Sequence, residues 1–274
     1  MVDEAQSHGK GRLAVVLAAV LVVVLVVGAV VLMRITGTDE RASGASASAS
    51  ASSGATLDSI VPGEGGAAES VNVPGVGVDY ADTCVGAAQA AGGWSTQVFG
   101  VSQAAAGVAS EAFSDLVLNE ILVADATVRE GDPVMVTAAT ANAVAAAQSA
   151  GQDIPNDVAE FDRGGFRLDS CTAGDKAVVT VVGTVLTDGW SYSPASGTTT
   201  SEQPYREIRS FTYHLVSRDG SWRVQQLIDG RDALSALTAF GSAYVAADYV
   251  MTDGVRSSLK SDLGAGGHLY VSGS

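Results

Sequence analysis

The sequence predicts an α+β fold in which a run of helices precedes an antiparallel sheet. Three observations carry this reading. Between Asp79 and about Ala150 the apolar residues recur at helical spacing in alanine-rich stretches. In DKAVVTVVGTVLTDG (175–189) the composition turns to Val and Thr and the period drops to two. Two further alternating runs, YREIRSFTYHLVS and WRVQQL, flank Arg218-Asp219-Gly220, the sequence of a tight hairpin turn. Ahead of this body the chain reads as an N-terminal transmembrane helix followed by a disordered linker.

The span is LAVVLAAVLVVVLVVGAVVLM, residues 13–33, which has no charged or strongly polar side chain. As a helix of about 31 Å it crosses a hydrocarbon core of roughly 30 Å with its backbone groups satisfied internally. Lys10 and Arg12 precede it and Arg34 follows, so the flanking charges set no direction. Orientation rests instead on both cysteines lying far downstream and on the Ser/Ala tract directly after the span. Residues 1–12 are then a cytoplasmic tail, and the C-terminal body lies outside the cell membrane. The competing reading is a signal peptide cleaved near Ala45-Ser46-Ala47. The apolar run exceeds the roughly 7–15 residues of a signal core, and the charged RITGTDER intervenes, which favours the anchor.

Residues 34–78 lose all periodicity. RASGASASASASSGA (41–55) is nearly pure Ala, Ser and Gly, and DSIVPGEGGAAES adds Pro, Gly and carboxylates. Such composition buries too little apolar surface to offset chain entropy, so the stretch reads as a disordered linker. It is either a spacer of roughly 35–40 Å r.m.s. reach or a connection of no tuned length. Across the 274 residues, 30 acidic side chains face 15 basic ones, a net charge of −15. The first 42 residues are balanced, so residues 43–274 carry the whole excess. An acidic body repels phosphate, which excludes nucleic acid and anionic headgroups as its partners. The expected partners are other membrane or envelope proteins, with the bilayer contacted through Leu13–Met33.

The body, residues 79–229, opens with ADTCVGAAQAAGGWSTQVFG. Cys84, Ala87, Ala88, Ala91, Trp94 or Ser95, and Val98 share helical spacing, and Asp82 or Thr83 serves as the cap. Gly92 and Gly93 either break this helix or let something pack closely on it. SQAAAGVASEAFSDLVLNEIL continues the helical period, and Pro133 after Asp132 starts a third run to about Ala150. DIPNDVAEFD reads as an acidic loop, GGFRLDSC as a short strand, and residues 175–189 as a long strand with a bulge or bend at Gly183. GWSYSPASGTTTSEQP reads as a long polar loop. In the hairpin, Phe211, Tyr213 and Leu215 take one face against Thr212 and His214. On the return strand Trp222, Val224 and Gln226 oppose Arg223 and Gln225. Residues 230–274 form a C-terminal extension: ALSALTAFGSAYVAADYVM is helical, with Leu234, Leu237 and Phe240 on one side, and KSDLGAGGHLYVSGS frays.

The Ala-rich helix bearing AAQAAGGW, the long hairpin and the strand ending in RDGSWRV together resemble an NTF2-like (cystatin-like cone) domain over residues 79–229. Within that superfamily the chain is similar to extracytoplasmic domains of single-pass actinobacterial membrane proteins, including Mce-associated and conjugation-machinery proteins. The resemblance implies a curved sheet wrapped around helices with a conical cavity. It carries no activity across, because the superfamily holds enzymes, ligand binders and scaffolds alike.

Few residues offer chemistry. Cys84 and Cys171 pair in an oxidising compartment or remain two buried thiols, and two cysteines alone make no zinc site. His8, His214 and His268 are the only histidines, and no G-x-S-x-G elbow supplies a nucleophile for His214. Asp153, Asp157, Glu160 and Asp162 match no calcium-loop spacing and read as a solvated cluster. No phosphate loop, dinucleotide fingerprint or HExxH occurs. No catalytic residue, metal site or cofactor is therefore expected. Trp190 and Tyr192, set among Ser, Gly and Thr in the long loop, suit a protein contact; the other reading folds Trp190 back on the sheet. The expected function is a membrane-anchored accessory protein, not an enzyme, that touches partners in an envelope, transport or transfer assembly. The alternative is a small apolar or lipid ligand held in the cone.

Overall fold

A computed structural model describes residues 56–99, 110–127, 158–187, 190–193, 198–201, 203–230, 239 and 244–271. The fold is α+β: a mostly antiparallel sheet packed against a few helices. The span predicted at 13–33 and the Pro133 helix lie outside the described residues. Among the described residues no helix is long and apolar enough to cross a membrane.

A 3-10 turn at Leu57–Ser59 leads into the hairpin of β1 (Gly66–Glu69) and β2 (Gly77–Tyr80). Helix α1 (Cys84–Trp94) follows and continues as a π-helical turn, Ser95–Phe99. Helix α2 (Ser110–Asp115) likewise runs on into a π-helical turn, Leu116–Ile121. Four long strands then build the sheet: β3 (Val158–Thr172), β4 (Lys176–Thr187), β7 (Tyr205–Arg218) and β8 (Ser221–Asp229). Between β4 and β7 in the chain lie β5 (Trp190–Ser193) and β6 (Thr198–Ser201), which pair with each other. The chain closes with β9 (Tyr244–Ala246), α3 (Asp253–Leu263) and β10 (Gly267–Leu269). The sheet order is β10-β3-β4-β7-β8, and β9 joins β7 beyond the end of β8.

The two faces of the sheet are unequal. Phe166, Val181, Val185, Phe211, Tyr213, Trp222 and Val224 point to the side covered by α1 and its π-helical continuation, and all are buried. On the opposite face Val182 and Ile208 form a smaller cluster with Met251, Leu259 and Leu263, so α3 covers only part of that face. Thr180, Thr212 and His214 fill the remainder with polar or half-exposed groups.

Several expectations are corrected here. Of the stretch expected as a disordered linker, residues 56–78 are folded: Ile60, Val73, Val76 and Val78 are buried, and Gly63, Gly65 and Gly75 adopt positive φ in the turns between them. Average composition hid these four anchors. Of the expected acidic loop, residues 158–162 open β3, where Ala159 and Phe161 face the core and Glu160 pairs with Arg206. The polar loop holds the β5–β6 ribbon. Gly183 is not a bulge; the register shift lies opposite it, between Glu160 and Gly165. A Cβ at Gly183 would fall 2.6 Å from the Phe161 ring, so glycine is needed for the close approach of that ring.

Gln226 does not share a face with Trp222 and Val224. Leu215 pairs with Val224 and His214 with Gln226, so Gln225 is the extra residue of a bulge and Leu227 takes the core position. The helix expected after Asp232 does not extend through Tyr244–Ala246, which is an edge strand on β7. The final stretch, expected to fray, is ordered through Val271: α3 and β10 pack on β3, and Tyr270 is fully buried.

Candidate functional site

The disulfide corner shows how the closing hairpin is used. Cys84 and Cys171 form a disulfide with Cα atoms 5.8 Å apart. It joins the first residue of α1 to β3 across a separation of 87 residues, which in the chain-entropy model stabilises by about 4–5 kcal/mol. Thr83 caps the helix, its hydroxyl accepting from the Gly86 amide at 3.0 Å. The hairpin turn is two-residue, with Asp219 at φ 55° and Gly220 at φ 79°. The Gly220 carbonyl accepts from the Asp82 amide, and the Trp222 indole N–H donates to the Thr83 carbonyl at 2.8 Å. The Asp82 carboxylate accepts from the Ser217 hydroxyl at 2.8 Å, while its carbonyl accepts from Gly174 in the β3–β4 turn. Both hairpin turns thus clasp the start of α1. This corner is structural.

The helix-side face of the sheet is the interior of the expected cone. Near the disulfide it is filled by side chains. The Tyr213 hydroxyl and Ser95 Oγ are 2.7 Å apart, the Trp94 and Phe99 rings lie against Tyr213, and Phe161 stacks on Phe211. Burial pushes the hydroxyls of Tyr80, Tyr213 and Tyr270 well above their ordinary pKa, so all three stay neutral.

Toward the start of β7 the same face changes character. Glu207 and Arg209 occupy alternate positions below Phe211, and their side chains form an ion pair at 2.8 Å. Tyr244 of β9 sits directly opposite Glu207, and its ring meets that of Tyr205 edge to face at 5.6 Å. This charged and aromatic patch was missed, although the alternation that placed Phe211, Tyr213 and Leu215 together extends directly to Arg209 and Glu207. Paired charges of this kind orient a polar group or fix strand geometry; nothing about them supplies a nucleophile. Among the described residues no cluster of three or more His, Cys, Asp or Glu side chains could hold a metal ion.

The other predicted residues scatter. His214 lies mid-strand in β7, paired with Gln226 and Val178. His268 lies in β10. Glu160 is bound to Arg206, and Asp153 and Asp157 fall outside the described residues. Trp190 and Tyr192 hold alternate positions of β5, opposite Ser201 and Thr199 of β6. No family model, curated protein or solved structure matches the chain.

Proposed function

We propose that the chain is a membrane-anchored, non-enzymatic accessory protein. In this reading Leu13–Met33 spans the cell membrane with the N-terminus inside. The outer α+β domain, NTF2-like in outline, contacts other components of an envelope, transport or transfer assembly. The observation that carries the reading is the β5–β6 ribbon. The β4–β7 hairpin pairs as far as Thr187 and Tyr205, and a second two-stranded sheet then continues it from Trp190 to Ser201. Between Asp188 and Glu202 this ribbon has no charged residue, in a chain of net charge −15. Aromatics spaced among Ser, Thr and Gly are the composition of an adaptable contact surface. The Cys84–Cys171 disulfide supports an oxidising compartment for the domain.

The test is co-purification of the full-length chain in mild detergent. A Trp190→Ala/Tyr192→Ala variant is expected to lose the captured partners while keeping its disulfide and thermal stability. Retention of the same partners by that variant overturns the role of the ribbon. The Tyr205–Tyr244 pair favours a second reading, a small apolar or lipid ligand held in the cone beside these two rings. Extra mass on the protein in native mass spectrometry, lost on Tyr244→Ala, would support that reading over the first.

A further inference from the structure

The helix-side face of the sheet carries one row of side chains across four strands. Ala159 of β3 lies opposite Val185, Val185 opposite Glu207, and Glu207 opposite Tyr244 of β9. Residues directly opposite one another in antiparallel strands share a face, so these four are neighbours. Exposure rises along the row, from 0 % at Val185 through 6 % at Glu207 to 56 % at Tyr244. The row therefore runs from the interior to solvent at the β9 edge. Thr187 and Tyr205 form the row on one side of it, Gly183 and Arg209 the row on the other.

Glu207 and Arg209 are the only charged residues on this face of β4 and β7. The guanidinium is engaged through Nε and Nη2, both on Glu207 Oε2 at 2.8 Å. Among the described residues nothing engages Nη1, and the Arg209 side chain is 28 % exposed. Thr187 is 8 % exposed, and its hydroxyl has no hydrogen-bond partner among the described residues. A buried hydroxyl left unpaired is destabilising, so this one points to a partner other than the fold.

We propose that this end of the face binds an uncharged lipid with an oxygen-rich head, a monoacylglycerol-like ester. The proposal rests on the ligand reading given above and names the class of ligand. Arg209 Nη1 offers a donor, and the Thr187 hydroxyl donates or accepts, one row to either side of Glu207. Two separated points suit a head with several oxygens. The head is uncharged because Glu207 already neutralises Arg209. A second carboxylate or a phosphate would meet Glu207 on the same guanidinium, in a chain of net charge −15. Ala159, Val185 and the paired rings of Tyr205 and Tyr244 form the apolar wall for the acyl chain.

Photocrosslinking of the full-length chain in phosphatidylcholine nanodiscs tests this. The probes are a diazirine-bearing monoacylglycerol and the ionised fatty acid of the same chain, with adducts located by peptide mass spectrometry. The ester is expected to label β4, β7 and β9 about two- to tenfold more than the acid, the scale of one hydrogen bond. Thr187→Val should reduce ester labelling by a similar factor without lowering the unfolding midpoint, because the hydroxyl it removes has no partner in the fold. Arg209→Lys keeps a charge to pair with Glu207 but loses the forked donor, and should reduce ester labelling likewise. Equal labelling by ester and acid, or ester labelling unchanged in both variants, overturns the proposal and leaves a ligand at this face. Labelling of these strands by neither probe overturns the ligand reading and the proposal with it.

Discussion

Tyr213 illustrates how single groups hold the core. Its hydroxyl is fully buried beneath α1 and has Ser95 Oγ as its partner. A buried polar group left without a partner costs about 1–3 kcal/mol. Ser95→Ala should therefore lower unfolding free energy by about that amount in urea titration, whereas the double variant Ser95→Ala/Tyr213→Phe should recover part of the loss. Gly92 and Gly93 act through absence. A Cβ on Gly93 would fall 2.6 Å from Gly63 Cα, and one on Gly92 would fall 2.7 Å from the Tyr270 ring. The sequence reading allowed a helix break or close packing at this pair, and the structure shows close packing. Which partner arrives could not be read, because Gly63 and Tyr270 come from segments that composition had assigned to linker and tail.

At the scale of elements, the strands were the most legible part. β4, β7 and β8 announce themselves by alternation and by the Asp219-Gly220 turn. The helix start was legible as Asp82 or Thr83, and Thr83 is the cap; the disulfide was one of two readings of Cys84 and Cys171. Register was less so. The bulge at Gln225 moves Leu227 to the core, and a one-residue insertion leaves no mark in a pattern read only from Trp222 to Gln226. Short strands were missed where they gain their order from neighbours. β10 has three residues in a glycine-rich context and is stable because β3 supplies its partners and Tyr270 fills the gap beside Phe166 and Ala88. Tyr270→Ala should accordingly cost about 3–5 kcal/mol, the range for removing a large aromatic from a core, measured by denaturant or thermal unfolding. A frayed tail would give no change.

At the scale of the whole molecule, the folded domain is larger than residues 79–229. It takes in segments before and after that range, since Ile60 and Tyr270 lie together in one core. The two ends of the described chain therefore meet at one corner, where the Val271 amide reaches the Ile60 carbonyl. The candidate contact ribbon follows the Thr187–Tyr205 end of the β4–β7 hairpin, and the disulfide lies toward the opposite end of β4, where Cys171 of β3 pairs with Ala177. Such an arrangement suits a domain held from one corner that offers a hairpin to a neighbour. Function was less legible than fold because no reactive constellation is written in the sequence, and a contact surface made of Trp, Tyr, Ser and Thr has no required spacing.

The central claim is that this disulfide-bonded domain lies outside the cell, tethered by residues 13–33. Protease added to intact cells tests it most directly. The account predicts cleavage ahead of Thr56 and release of a soluble fragment that retains the Cys84–Cys171 bond, while residues 1–12 stay protected. A C-terminal domain that survives untouched until the cells are lysed would contradict it.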